Sequence, residues 1–238
     1  MKILHFYPDL MNLYGSAANM WALRRALEAA GCEVTVERVA PGQDADLTNA
    51  DFIYMGAGTE RAQKAALADF VRFADDLKAA EAAGAAMLFA GSAMELLGSR
   101  LTAADGTVYE ALGLADFTTV QGTQRIAEDV YGRTALFDEP VVGFINKSGI
   151  VSGVETPLLT EVSLGFGNEQ ARGAEGFCRG NVLASQLTGP LLVKNPKLLE
   201  HVVSAVCKRR GVSVPAPFPH DPYALAAWAV TEEQLRRR

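Results

Sequence analysis

The chain has 238 residues, 49% of them hydrophobic, enough to bury the core of one large domain or two small ones and too apolar for whole-chain disorder. A formal net charge of −6 argues against a broad electrostatic grip on nucleic acid. The three cysteines, Cys32, Cys178 and Cys207, form no CxxC spacing, which argues against a disulfide framework or a zinc ribbon.

Residues 2–7 (KILHFY) read as a first strand. Residues 16–30 follow as a helix with Met20, Leu23 and Leu27 on one face, stopped by Gly31. Residues 33–39 alternate as a strand, and residues 51–55 (DFIYM) form another that ends in Gly56-Ala57-Gly58. Leu67, Phe70, Val71, Ala74 and Leu77 predict one helix over 60–82, closed by Gly84. Residues 85–90 (AAMLFA) are apolar on both faces, as a covered parallel strand is. A small-residue turn and a further helix follow at GSAMELLG, 91–98. Such alternation predicts an α/β fold with a mostly parallel sheet covered by helices. Ligands of such sheets sit at the carboxyl ends of the strands, here Pro8-Asp9, Gly56–Gly58 and Gly91-Ser92.

From about residue 105 the runs TVYEAL, TTVQG, PVVGFI, GIVSGV and NVLASQL are separated by Gly, Asn and Asp, and predict an antiparallel extension. Residues 196–210 read as a helix, with Pro196 at its start and Lys208, Arg209 and Arg210 at its end. Residues 213–222 are proline-rich, and 223–235 predict a short terminal helix. The division expected is a domain over 1–211 and an extension over 212–238. MKILHFYPDL lacks the long apolar segment of a secretory signal, and the apolar stretch 79–98 carries Glu81 and Glu95, so the expected location is cytoplasmic.

Taken in order, several stretches carry a family resemblance. They are YPDLMNLYGSAANMWALRR near the start, GAGTERAQ at 56–63, GSAMELLG at 91–98, DGTVYEALGL at 105–114, TQR at 123–125, VVGFIN at 141–146, GFGN at 165–168 and LTGPLLVKNP at 187–196. The set resembles class I glutamine amidotransferases of the cobyric-acid-synthase-like branch, and within it the glutaminase subunits of lipid II isoglutaminyl synthases. The resemblance implies a flavodoxin-like fold and release of ammonia from glutamine to a Mur-ligase-like partner. It implies no cofactor. His5, His201 and His220 share no metal-ligand spacing.

Glutamine hydrolysis needs a thiolate, a proton carrier and N–H groups that stabilise an oxyanion. The family pattern Cys-Gly-Gly-Tyr-Gln-Leu-Leu-Gly puts its cysteine on Gly91, counted from Leu96-Leu97-Gly98 and from Gly84 alike. The family's His-Gly-Pro becomes Thr188-Gly189-Pro190. Ile145 and Lys147 stand where a glutamate and a histidine are expected. Both reacting side chains are therefore missing from the aligned positions, which implies a degenerate glutaminase acting as scaffold or regulator.

Two alternatives stay open: a relocated nucleophile, Ser92 or Cys178, and a binding module for a small amino acid or amide such as glutamine. Ser92-x-x-Glu95 has the pattern of a capping box, which is the preferred role for Ser92. The three cysteines read as packing residues. By the resemblance, the Gly56-Ala57-Gly58 loop supplies an oxyanion N–H and Arg125 orients a glutamine carboxylate; a plain tight turn and a solvated arginine are the bland readings.

Overall fold

Alternate residues of the first strand are aimed at opposite sides of a sheet, and the two sides meet different helices. In the computed structural model, which describes residues 1–238, β1 (Lys2–Phe6) sends Ile3 to one apolar cluster and Leu4 and Phe6 to another. The first cluster is closed by Met20, Leu23 and Leu27 of α1 (Ala18–Ala29). β2 (Thr35–Val39) and β3 (Phe52–Met55) flank β1 in parallel. Phe52 and Tyr54 join the α1 side, and Ile53 and Met55 the other.

The predicted helix over 60–82 is in fact two. α2 (Glu60–Phe70) and α3 (Ala74–Ala82) are joined by a 3-10 turn over Val71–Phe73. The three-residue step lets both Phe70 and Phe73 reach the core, where their rings lie 4.9 and 5.1 Å from that of Phe6. Thr59 caps α2 by accepting the Ala62 N–H at 3.1 Å. β4 (Ala86–Ala90) pairs with β3 in parallel and is wholly buried. It runs into a 3-10 helix over Gly91–Leu97, where the sequence implied an ordinary helix start.

The chain then leaves for a second sheet. β5 (Arg100–Thr102), β6 (Val108–Glu110), β7 (Thr118–Arg133) and β8 (Val141–Ser152) pair in the order β6-β5-β7-β8, with β9 (Glu161–Leu164) on β7. The expected antiparallel extension is a sheet of its own, built on the long β7–β8 ribbon, whose register slips between Gln121 and Ile126. β5 and β7 within it are parallel.

β10 (Phe177–Arg179) and β11 (Val182–Ser185) return to the first sheet, giving the order β10-β11-β4-β3-β1-β2 with β10 alone antiparallel to its neighbour. The short α4 (Leu191–Lys194) leads into α5 (Pro196–Arg209), which buries Leu198, Val202, Val203, Val206 and Cys207 on the α1 side. Each such side chain contributes about 1.5–3 kcal/mol by leaving water. The terminal helix α6 (Pro222–Arg236) is capped by Asp221 and buries little but Leu235. Trp228 Nε1 donates to Pro140 O at 3.2 Å, and Arg238 pairs with Glu128 and Asp129 of β7. No helix is long and apolar enough to cross a membrane.

Candidate functional site

Both sheets contribute to one cavity of about 100 Å³ at the carboxyl ends of β3, β4 and β11. Ala57 and Gly58 reach it from the loop after β3, Gly91 and Ser92 from the turn after β4, and Thr188 from the segment after β11. β7 supplies Gln121 and Arg125, and β8 supplies Asn146, Lys147 and Ser148. Ala57, Gly58, Gly91, Ser92 and Thr188 thus converge, as strand-end loops of a parallel sheet do, whereas Gly56 and the Pro8-Asp9 end of β1 do not line the cavity.

Gly91 has φ +62°, the left-handed backbone that a sharp strand-to-helix turn requires. A Cβ built on Gly91 lies 3.8 Å from Thr188 Cγ2, so positions 91 and 188 face each other. Neither carries a thiol or an imidazole: Gly91 has no side chain, and the Thr188 hydroxyl donates to Phe144 O at 3.1 Å. The same Cβ would lie only 2.6 Å from Ala57 Cβ.

Ser92 does not cap the following helix. Its Oγ accepts the Gly58 N–H at 2.9 Å and donates to Gly58 O at 3.0 Å, tying the β4 turn to the β3 loop. Glu95, the other half of the expected box, is 3% exposed and turned into the core. No local cap bond competes with its distant partners: Gln63 Nε2 at 2.8 Å, Gln121 Nε2 at 2.9 Å and Gln186 Nε2 at 3.2 Å. Burial pushes its carboxyl above the usual range, against the pull of those three amides.

In the Gly56-Ala57-Gly58 loop two N–H groups have partners within the fold. Ala57 N–H reaches Ser16 Oγ at 3.3 Å and Gly58 N–H is held by Ser92. Arg125 lies at the mouth, on the exposed side. It pairs with Glu60 and donates to Asn146 O and Oδ1 at 3.2 Å. Glu60 also accepts from Ser148 Oγ at 3.1 Å, and Asn146 Nδ2 donates to Tyr14 Oη at 2.9 Å. These contacts form a polar bridge across the opening.

Lys147 is the residue whose place sequence reasoning did not foresee. Its Nζ is buried and donates to Gly167 O at 2.5 Å, Asn168 O at 2.7 Å and Gln186 Oε1 at 2.6 Å. Burial lowers its pKa, opposed by Glu175 and Glu95. Glu175, fully buried, accepts from Ser185 Oγ at 2.9 Å and Gln186 N at 2.6 Å, and burial raises its pKa. Ile145 is fully buried and bridges to Leu187. The inward-outward alternation of β8, with Val141, Gly143, Ile145, Lys147 and Gly149 on its buried side, was the available signal for Lys147.

The remaining candidates lie elsewhere. Cys178 sits on β10 opposite Leu183, its thiol pushed up by burial. Cys32 and Cys207 pack in the cluster between α1 and α5. His5 is buried beneath α1, and His220 lies 2.9 Å from Glu200.

Residues 2–196 match the CobB/CobQ-like glutamine amidotransferase domain family. Two similar proteins bear the name lipid II isoglutaminyl synthase (glutamine-hydrolyzing) subunit GatD. The one from Staphylococcus aureus (strain N315) is 29% identical over 212 residues, covering 89% of this chain and 86% of the relative. The one from Streptococcus pneumoniae (strain ATCC BAA-255 / R6) is 30% identical over 233 residues, covering 93% and 86%. Among solved structures, a glutamine amidotransferase from Thermotoga maritima shares the fold at a TM-score of 0.50, with 10% identity and coverage of 99% of this chain and 95% of that one. The cavity at the strand ends, the glycine turns that shape it and the match over 2–196 place this chain in the CobB/CobQ-like glutamine amidotransferase family.

Proposed function

We propose that this chain is a non-hydrolytic glutaminase-like subunit of a peptidoglycan-amidating synthase, working beside a Mur-ligase-like partner. The observation that carries the reading is the pair Gly91 and Thr188. They face each other across the cavity with no thiol and no imidazole between them. Removing the nucleophile of a hydrolase costs about 10⁶ in kcat, or about 8 kcal/mol of barrier. The names and coverage of the two relatives support the pathway, since both are subunits of an isoglutaminyl synthase. In this reading residues 1–211 form the amidotransferase domain and 212–238 an extension of it.

The geometry argues against a relocated nucleophile. The Ser92 hydroxyl accepts from Gly58 N–H and spends its proton on Gly58 O, and no histidine lines the cavity. Cys178 does not line it either.

The test is ammonia release from glutamine by the purified chain, alone and with the Mur-ligase-like protein of the same cell. The expected outcome is background release in both, together with co-purification of the two proteins. Glutamine turnover at an ordinary enzymatic rate, abolished by Ser92→Ala or Cys178→Ala, would overturn the proposal.

A further inference from the structure

Helix α1 carries two stripes. Met20, Leu23 and Leu27 face the core, and Ala18, Trp21, Ala22, Arg25, Ala26 and Ala29 recur at helical spacing beside them. A surface helix ordinarily meets water with polar side chains away from its core face. Here the second stripe is instead one wall of a cavity of about 460 Å³. Leu192, Val193 and Leu199 of α4 and α5 contribute the second wall, and residues 218–222, which lead into α6, the third. This cavity shares no lining residue with the one at the strand ends.

The third wall is pinned in place. Phe218 packs against the apolar cluster between α1 and α5, and its ring lies 4.9 Å from that of His220. His220 Nε2 lies 2.9 Å from a Glu200 carboxylate oxygen on α5. Asp221 Oδ1 accepts the Tyr223 and Ala224 N–H groups at 2.8 and 3.3 Å, which starts α6. The alanines of α1 leave the space, and the pinned segment keeps it from closing. Small-molecule sites take this form, a concavity of about 300–1,000 Å³ with mostly apolar walls and few polar groups.

Those few polar groups decide the class of guest. Of the titratable side chains that line the cavity, His220 is engaged by Glu200, and Asp221, the only carboxylate, caps α6. Arg24 is held by Glu28 at 2.7 Å and lies over the Trp21 ring, whereas its neighbour Arg25 makes no hydrogen bond or ion pair within the chain. Trp21 itself is 48% exposed. A free guanidinium beside aromatic and aliphatic surface complements a guest with an apolar body and one carboxylate.

We propose that the cavity between α1, α5 and residues 218–222 binds a compact apolar monocarboxylate, its carboxylate on Arg25 and its hydrocarbon body against Trp21, Leu199 and Phe218. Release of water from the apolar walls drives binding, and the guanidinium fork selects the anion. A cationic amphiphile is repelled by Arg25 and finds no uncommitted carboxylate. A neutral alcohol keeps the apolar contacts and loses the ion pair. The site stands whether or not the chain hydrolyses glutamine, because it lies outside the strand-end cavity.

The experiment titrates the purified full chain with sodium octanoate, below the concentration at which it aggregates, by isothermal calorimetry and tryptophan emission. Octylammonium chloride, octanol and sodium acetate serve as controls at matched ionic strength. Octanoate should bind saturably, one per chain, and shift the emission to the blue, a shift that Trp21→Phe removes. Octylammonium and octanol should each bind at least about fivefold more weakly, and acetate should give no heat. Arg25→Gln should weaken octanoate by about fivefold and leave octanol unchanged. Ala26→Leu, which fills the cavity from its α1 wall, should abolish binding of both. If that variant alters the fold, the exposed Arg25→Gln still reads the site. Equal affinity for octylammonium, undiminished octanoate binding in the variants, or no binding heat for octanoate would each overturn the assignment. So would self-association of the chain that Ala26→Leu abolishes, since the groove would then belong to a second copy.

Discussion

A Cβ at position 91 falls 2.6 Å from the Ala57 Cβ, closer than two carbons approach without displacement. The two positions are therefore coupled: alanine fits at 57 because glycine stands at 91. Gly91→Cys alone should cost about 3 kcal/mol, from the left-handed backbone at φ +62° and from the overlap. Adding Ala57→Gly should return about 1–2 kcal/mol of it, read by urea denaturation. A single variant as stable as the parent would show that the loop yields and that the coupling is absent. With Thr188→His as a third change, ammonia release should become detectable, while Gly91→Cys alone stays at background.

The Ser92 hydroxyl joins two loops through one residue, Gly58. Ser92→Ala should lose about 1–2 kcal/mol of stability, the worth of two part-buried hydrogen bonds, and leave ammonia release unchanged. A large effect on release with none on stability would contradict this.

Lys147→Met should cost about 3–5 kcal/mol, because it strands three buried acceptors and two carboxylates. The loss should appear in the denaturation midpoint with little change in the slope. A neutral result would mean that water replaces the ammonium.

His5 gives a pH dependence. Both its ring nitrogens lack partners, its ring lies 5.1 Å from that of Tyr54, and burial, with help from Arg38, lowers its pKa from 6.5 to about 4. Above pH 6.5 the imidazole is neutral in the folded and unfolded chains and contributes no slope. Between 6.5 and 4 the unfolded chain binds the proton and the folded chain does not, so stability falls as pH falls, by about 3 kcal/mol in full. His5→Phe removes no hydrogen bond. It should flatten this acid limb and leave stability at pH 7 unchanged or higher, checked by thermal midpoints from pH 4 to 8.

The doubly wound half was legible because its signals are local: apolar strands, helical periodicity, and Gly31 and Gly84 in left-handed backbone at the ends of α1 and α3. The β7–β8 ribbon was not, because its glycines read as turns. They sit inside strands for reasons of space. A Cβ at Gly132 would meet Glu161 O at 2.6 Å, one at Gly143 would meet Leu187 Cδ1 at 2.8 Å, and one at Gly149 would meet Glu95 Oε1 at 2.3 Å. The site showed the same limit. The placement of Gly91, Ser92 and Thr188 together followed from motif order and strand ends. The partners of Glu95 and Lys147 lie 20 to 91 residues away, and no nearby pattern announces them. A capping box was the local explanation of Ser92 and Glu95, and distant amides outcompeted it.

Gln186 follows β11 of the first sheet, yet its side chain grips Lys147 and Gly149 of the second and Glu95 between them. One amide thus bolts the two halves of the molecule together along the wall of the cavity. A chain that drifts away from turnover can exchange its reacting groups, but it cannot let that wall collapse without loosening the whole protein.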